Sequence, residues 1–172
     1  MGGRRITPPA KMPHTRPTTD IAKEGLFNVL ENNLGLSTLR TLDLFGGTGS
    51  ISYELASRGV HDLTVVEKDP AMFAFIQKSA RELGLADFYK VVRMDVFKFI
   101  ERCHETFDLI FAGPPYALET IDELPKLVPR LLKDKGWFVL EHTPRNNYEG
   151  YPLYVTQRSY GTTIFSIFVK KT

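Results

Sequence analysis

The sequence predicts an α/β fold: a mostly parallel sheet with helices on both faces and a C-terminal antiparallel hairpin. Three observations carry that prediction. Short apolar runs alternate with stretches of helical period between residues 41 and 141, the mark of repeated β-α units. The first run, Thr41-Leu42-Asp43-Leu44-Phe45, enters the glycine-rich turn Gly46-Gly47-Thr48-Gly49 just before a helical stretch, as in open sheets that bind a ligand. Past residue 150 the period changes to that of two paired strands.

The elements follow in order. Thr18-Thr19-Asp20 is a start signal, and apolar residues at 22, 26, 27, 29 and 30 share one helical face, so a first helix reaches about residue 30. Strand one is residues 41–45 and a helix over 50–57 follows the glycine turn. Strand two is 63–67. The helix over 70–83 opens on Pro70, whose missing N–H is harmless in a first turn, and stops near Gly84. Strand three is short, 91–93, and runs out at Met94-Asp95; residues 96–101 make a helical turn or two. Strand four is 107–111, a helix covers about 121–132, and Gly136 precedes strand five at 137–141. After a loop over 143–150, strands at 153–158 and 163–170 join through Ser159-Tyr160-Gly161-Thr162. Repeated β-α units imply parallel pairing, with helices covering both faces.

At 172 residues, 42% of them hydrophobic and 24% charged, the chain buries a core as one domain. A single cysteine, Cys103, excludes an internal disulfide framework, fits a reducing compartment and is expected to be structural. The four histidines lack zinc-site spacing, so no metal is expected. No run approaches the roughly 20 apolar residues of a membrane span, and no apolar signal core opens the chain. These features point to a cytoplasmic protein without a membrane partner. No long apolar stripe stands out, so a monomer is the default.

Residues 1–17 differ from the rest. Arg4, Arg5, Lys11 and Arg16, with His14, all precede the first acidic residue, Asp20, and Pro8, Pro9, Pro13 and Pro17 favour an extended chain. Such a basic arm suits a phosphate backbone. It reads equally as a solvated tail.

In an open α/β sheet, ligands sit beyond the carboxyl ends of the strands. Asp43 with the glycine turn, Glu67, Asp95 and Gly113 all fall at such ends. Gly47 and Gly49 let bare backbone approach a ligand, and the helix N-terminus behind them favours a negative group. Glu67 stands about twenty residues on, where a carboxylate accepts from ribose hydroxyls. Asp95 can accept from an exocyclic amine such as adenine N6. Asp43 and Asp95 can also simply cap turns. A dinucleotide site would carry G-x-G-x-x-G, whereas Ser52 stands at the third position. The rigid lip Gly113-Pro114-Pro115-Tyr116, against which a flat group can stack, is not something hydride transfer calls for.

Asp43-x-Phe45-x-Gly47-x-Gly49, Glu67, Asp95 and the Pro-Pro-Tyr lip resemble the S-adenosylmethionine-dependent class I methyltransferases, with their Rossmann-like fold. Arg16-Pro17-Thr18-Thr19-Asp20, Glu24-x-Leu26-Phe27-Asn28 and Arg158-x-Tyr160-Gly161-x-Thr163 resemble, more narrowly, the RsmD type of 16S ribosomal RNA guanine-N2 methyltransferase. The resemblance covers nearly the whole chain and implies a methyltransferase domain over 18–172 behind the arm. It implies S-adenosylmethionine as cofactor, held by Thr18, Asp43, Phe45, Gly47, Gly49, Glu67, Lys68 and Asp95. It further implies that Gly113, Pro114, Pro115 and Tyr116 receive the target amine, the Pro114 carbonyl accepting from it and the Tyr116 ring stacking on the extruded base. Arg4, Arg5, Lys11 and Arg16 would meet RNA, free or in a small ribosomal subunit particle.

The sequence departs from the family twice. Gly113 stands where relatives carry Asp or Asn, which removes one acceptor for the amine, and no apolar strand precedes Gly3-Arg4-Arg5. Three other readings stay open beside the RNA methyltransferase: a cofactor-retaining RNA-binding module, a protein-glutamine methyltransferase and a nicotinamide oxidoreductase.

Overall fold

The computed structural model describes residues 19–171. Arg4, Arg5, Lys11, Arg16 and Thr18 therefore lie outside the described residues, as does the whole of the arm expected over 1–17. Helix α1 (Asp20–Asn33) starts where the Thr19 hydroxyl accepts from the Ala22 amide at 3.2 Å, the N-cap its sequence calls for. It buries Ala22, Leu26, Phe27 and Leu30 and continues past the expected end to Asn33.

Five parallel strands follow: β1 (Thr41–Leu44), β2 (Leu63–Val66), β3 (Tyr89–Val92), β4 (Phe107–Ala112) and β5 (Leu132–His142). Helices α2 (Ser50–Ser57), α3 (Pro70–Glu82), α4 (Val96–Arg102) and α5 (Leu124–Leu127) connect them. The hairpin of β6 (Tyr154–Tyr160) and β7 (Thr163–Val169) then joins antiparallel to β5. The order across the seven-stranded sheet is β3-β2-β1-β4-β5-β7-β6, the Rossmann-like class I methyltransferase arrangement expected from the sequence.

Side chains alternate across the strands, so the sheet has two apolar faces. Leu63, Val65, Leu109, Phe111 and Val139 meet Leu26 and Phe27 of α1, Ile51 and Leu55 of α2 and Ile76 of α3 on one face. Leu42, Leu44, Val66, Ile110 and Phe138 meet Val96 and Ile100 of α4 and Leu124 of α5 on the other. β1 and β4 are neighbours although β2 and β3 separate them in sequence. The chain reverses its progress across the sheet between them, which opens a crevice at their carboxyl ends.

Three expectations are corrected. The helix over 121–132 is instead the four-residue α5 between 3₁₀ turns Ile121–Glu123 and Val128–Leu131. Pro125 and Pro129 remove the amides a continuous helix needs. Strand β5 begins at Leu132, not 137; it absorbs a register shift opposite Phe107 and Leu109, with Lys135 at φ 67°. The hairpin loop is only Gly161-Thr162, since Tyr160 already pairs with Thr163. Gly161 takes φ 63° and Thr162 does not turn positive, as a II′ turn requires.

One docking contact depends on a missing side chain. The Tyr160 ring of β6 lies so close to Gly25 of α1 that any Cβ there would overlap it.

Candidate functional site

The carboxyl ends of β1, β2, β3, β4 and β5 surround a cavity of about 520 Å³, within the roughly 300–1,000 Å³ of small-molecule sites. Of the sequence-predicted cofactor residues, Asp43, Phe45, Gly47, Glu67, Lys68 and Asp95 line it, and so do Gly113 and Pro115 of the lip. Gly49, Pro114 and Tyr116 do not. Gly49 is the N-cap of α2 at φ 82°, Pro114 is buried, and Tyr116 stands 49% exposed at the outer end of the lip.

The turn after β1 is built by backbone conformation. Phe45, Gly47 and Gly49 have φ 61°, 57° and 82°; for Phe45, which has a Cβ, the left-handed region costs about 1–3 kcal/mol and belongs to sites held by their surroundings. Gly46 is required for a different reason: a Cβ there would lie 2.6 Å from Val65 Cγ1. Three amides of the turn are already committed. Gly46 donates to Val66 O at 3.0 Å and Gly49 to Gly46 O at 2.9 Å, and Gly47 donates to Glu67 Oε1 at 2.8 Å. The glycines therefore provide close approach and shape more than free donors.

Glu67 is 8% exposed. Its second oxygen, Oε2, accepts from the Asp69 amide at 2.8 Å, while Asp69 Oδ2 caps α3 by accepting from Met72 N at 3.0 Å. One carboxylate thus joins the glycine turn to the start of α3. Asp95 caps α4, accepting from Phe97 N at 3.0 Å and Lys98 N at 3.2 Å. Both bonds fall on Oδ2, so capping engages half of the carboxylate, and the residue still lines the cavity. Capping and ligand binding are compatible here.

Asp43 is 1% exposed and accepts from the Ser52 hydroxyl at 2.5 Å. Burial drives its pKa up to about 7, against the lowering effect of the Ser52 bond and with help from the charges of Glu67 and Glu141. Ser52, at the third position of the glycine pattern, is therefore the partner that positions Asp43.

The lip is fixed at both ends. Gly113 N donates to Leu44 O at 3.4 Å and Leu118 N to Pro115 O at 3.1 Å. Gly113 sits beside the Phe111 ring, whose Cε1 would be 3.0 Å from a Cβ.

Sequence reasoning missed Glu141. It is 2% exposed at the end of β5 and lines the same cavity. The apolar run Trp137-Phe138-Val139-Leu140 ending in an acid repeats the pattern that singled out Glu67, and would have found it. Among the described residues, the charged side chains lining the cavity are Asp43, Glu67, Asp69, Asp95 and Glu141, with Lys68 as the cation. Such a wall suits a cation and opposes the pyrophosphate of a dinucleotide. A sulfonium beside an adenosine fits both the size and the sign. Among the described residues there is no group of three or more His, Cys, Asp or Glu that could hold a metal ion, and no helix long and apolar enough to cross a membrane.

A family model described as conserved hypothetical protein 95 matches residues 1–169. YlbH of Bacillus subtilis (strain 168) is 32% identical over 133 residues, covering 74% of this chain and 71% of that protein. Ribosomal RNA small subunit methyltransferase D of Buchnera aphidicola subsp. Acyrthosiphon pisum (strain APS) is 30% identical over 136 residues, covering 78% and 67% respectively. The solved structure of a hypothetical protein from a Thermus species superposes with a TM-score of 0.81 at 27% identity, covering 99% of this chain and 94% of that one.

Proposed function

Because the chain belongs to the RsmD family, the family described as conserved hypothetical protein 95, we propose that it is an S-adenosylmethionine-dependent methyltransferase of 16S ribosomal RNA, acting on a guanine N2 amine. One observation carries the reading: Asp43, Glu67 and Asp95 from three strand ends share a cavity with Gly113 and Pro115 of a Pro-Pro-Tyr lip. Ribosomal RNA as substrate is supported by the named function of the Buchnera relative.

Bound in this cavity, S-adenosylmethionine supplies a methyl group made electrophilic by its sulfonium. Glu67 accepts from the ribose hydroxyls, pre-set by its bonds to Gly47 and Asp69. Asp95 accepts from the adenine amine, and Lys68 stands at the rim. Asp43 faces the methionine end, its carboxylate stabilised by the cation it helps to hold. Phe45 and the Gly47–Gly49 turn shape the wall. The Pro114 carbonyl accepts from the target amine while the Tyr116 ring stacks on the base; stacking of about 1–3 kcal/mol offsets much of the few kcal/mol needed to unstack it. Catalysis is then mainly alignment of amine, methyl carbon and departing sulfur. Residues 1–17 act as an arm that meets RNA phosphates through Arg4, Arg5, Lys11 and Arg16, and the protein works as a monomer in the cytoplasm.

The test is incubation with labelled S-adenosylmethionine, under-methylated small ribosomal subunits and naked 16S RNA, followed by mass mapping. A single N2-methylguanine is the expected product. Tight S-adenosylhomocysteine binding with no methylated RNA in either substrate would overturn the reading in favour of a binding module, the alternative that the side-chain-free Gly113 raises.

A further inference from the structure

The amine needs more than the Pro114 carbonyl to orient it, and Gly113 brings no side-chain oxygen. We propose that Glu141 supplies the missing acceptor, reaching from β5 to where a side chain at position 113 would project. The inference rests on the methyltransferase reading above.

The geometry is direct. A Cβ built on Gly113 would sit 3.4 Å from Glu141 Oε1. The carboxylate carried by β5 thus lies against the space that an Asp or Asn on the lip would enter. Glu141 lines the cavity and is 2% exposed, so its carboxylate is shielded from bulk water at the wall of the cavity. A carboxylate offers about four acceptor positions, so contacts within the protein and a bond to the amine are compatible. Glycine at 113 also has a reason: an aspartate there would push a second carboxylate against the first, and like charges at that range resist sharing a buried site.

In the reaction the amine lone pair forms the new N–C bond to the methyl of S-adenosylmethionine as the C–S bond breaks, its electron pair remaining on the now neutral sulfur. The nitrogen gives up one proton along its N–H bond to the Glu141 carboxylate, and from there to water as product leaves. Glu141 orients the amine before transfer and receives the proton after it.

Two readouts test this, one independent of RNA. Sinefungin carries an ammonium where the cofactor carries its methyl, whereas S-adenosylhomocysteine has nothing there. Calorimetry on the full chain should give Glu141→Ala a sinefungin-to-S-adenosylhomocysteine affinity ratio at least tenfold below the parent's, with S-adenosylhomocysteine itself bound within about threefold. In parallel, kcat on under-methylated subunits should fall by about 10²–10³, the loss typical of one preorganised transition-state bond. Gly113→Asp alone should slow the enzyme, yet added to Glu141→Ala it should recover at least tenfold in kcat and restore the ratio. Glu141→Gln, isosteric and uncharged, should bind S-adenosylhomocysteine normally, keep part of kcat and lose the sinefungin preference.

An unchanged ratio and kcat in Glu141→Ala would overturn the proposal. So would equal losses for both ligands, which mark a cofactor or folding role, or a double variant no better than the single. A parent that methylates no RNA while its sinefungin preference still depends on Glu141 supports the acceptor and removes only the ribosomal RNA substrate.

Discussion

Glu67 and Gly47, twenty positions apart, are joined by a 2.8 Å bond from the Gly47 amide to Glu67 Oε1. The same carboxylate takes the Asp69 amide. The residue nominated as a ligand contact is therefore also the strut that holds the glycine turn in place.

Truncating that strut should cost both shape and binding. In Glu67→Ala two part-buried amides lose their acceptor, at about 1–3 kcal/mol for each left unsatisfied. S-adenosylhomocysteine affinity should drop more than tenfold by calorimetry, with a lower Tm. Glu67→Gln, which still has one accepting oxygen, should fall between. Parent-like affinity in Glu67→Ala would contradict the assignment.

Asp43 should make stability fall as pH rises. Its native carboxyl titrates at about 7 against 3.8 for the free group, so between those values the folded state keeps a proton that the unfolded chain has shed. Stability then declines by up to about 1.4 kcal/mol per pH unit across that window and levels off above it. The surrounding groups are Ser52 on α2, Glu67 after β2, Glu141 on β5, and Tyr89 on β3, whose own hydroxyl is driven up by burial and by the Asp43 charge. Urea titrations of Asp43→Asn should show this decline abolished. An identical pH slope in the variant would refute the shift.

Gly25→Ala should loosen α1 without touching the cavity. The added methyl overlaps the Tyr160 ring, and overpacking of this kind costs roughly 1–3 kcal/mol. Tm should fall while S-adenosylhomocysteine affinity holds. Adding Tyr160→Ala, which removes the obstacle, should recover part of the loss; strictly additive losses would show that the two residues do not meet.

Tyr116→Ala should separate substrate from cofactor. The ring is half exposed and outside the cavity lining, so its loss should leave Tm and S-adenosylhomocysteine affinity near the parent values. Transfer to RNA should lose about 10- to 100-fold in kcat/KM, matching roughly 1–3 kcal/mol of stacking, with Tyr116→Phe close to the parent. Full activity in the alanine variant would remove the base-stacking role.

Local signals were legible wherever one stretch of chain settles its own conformation. Thr19 caps a helix from its own side chain and Gly47 and Gly49 bear positive φ; Gly161 marked the hairpin, but not that Tyr160 and Thr163 already pair across it. Pro125 and Pro129 carried the warning against a long helix over 121–132, and the apolar spacing there concealed it. The strand-end acids were legible because parallel strands put their carboxyl ends on one side, so order in sequence becomes neighbourhood in space.

Sequence by itself determined the β-α alternation, the class of the sheet and most of the acidic wall, because periodicity, caps and turn residues act over a few positions. Only the tertiary structure decided what those residues do to one another. It paired Ser52 with Asp43, bound Glu67 to a turn twenty residues away, set Gly46 against Val65 and Gly25 against the Tyr160 ring, and brought Glu141 to Gly113. Each of these relations joins separate elements across the packed faces, where burial and contact depend on which strands become neighbours, and the spacing of one segment carries no information about that.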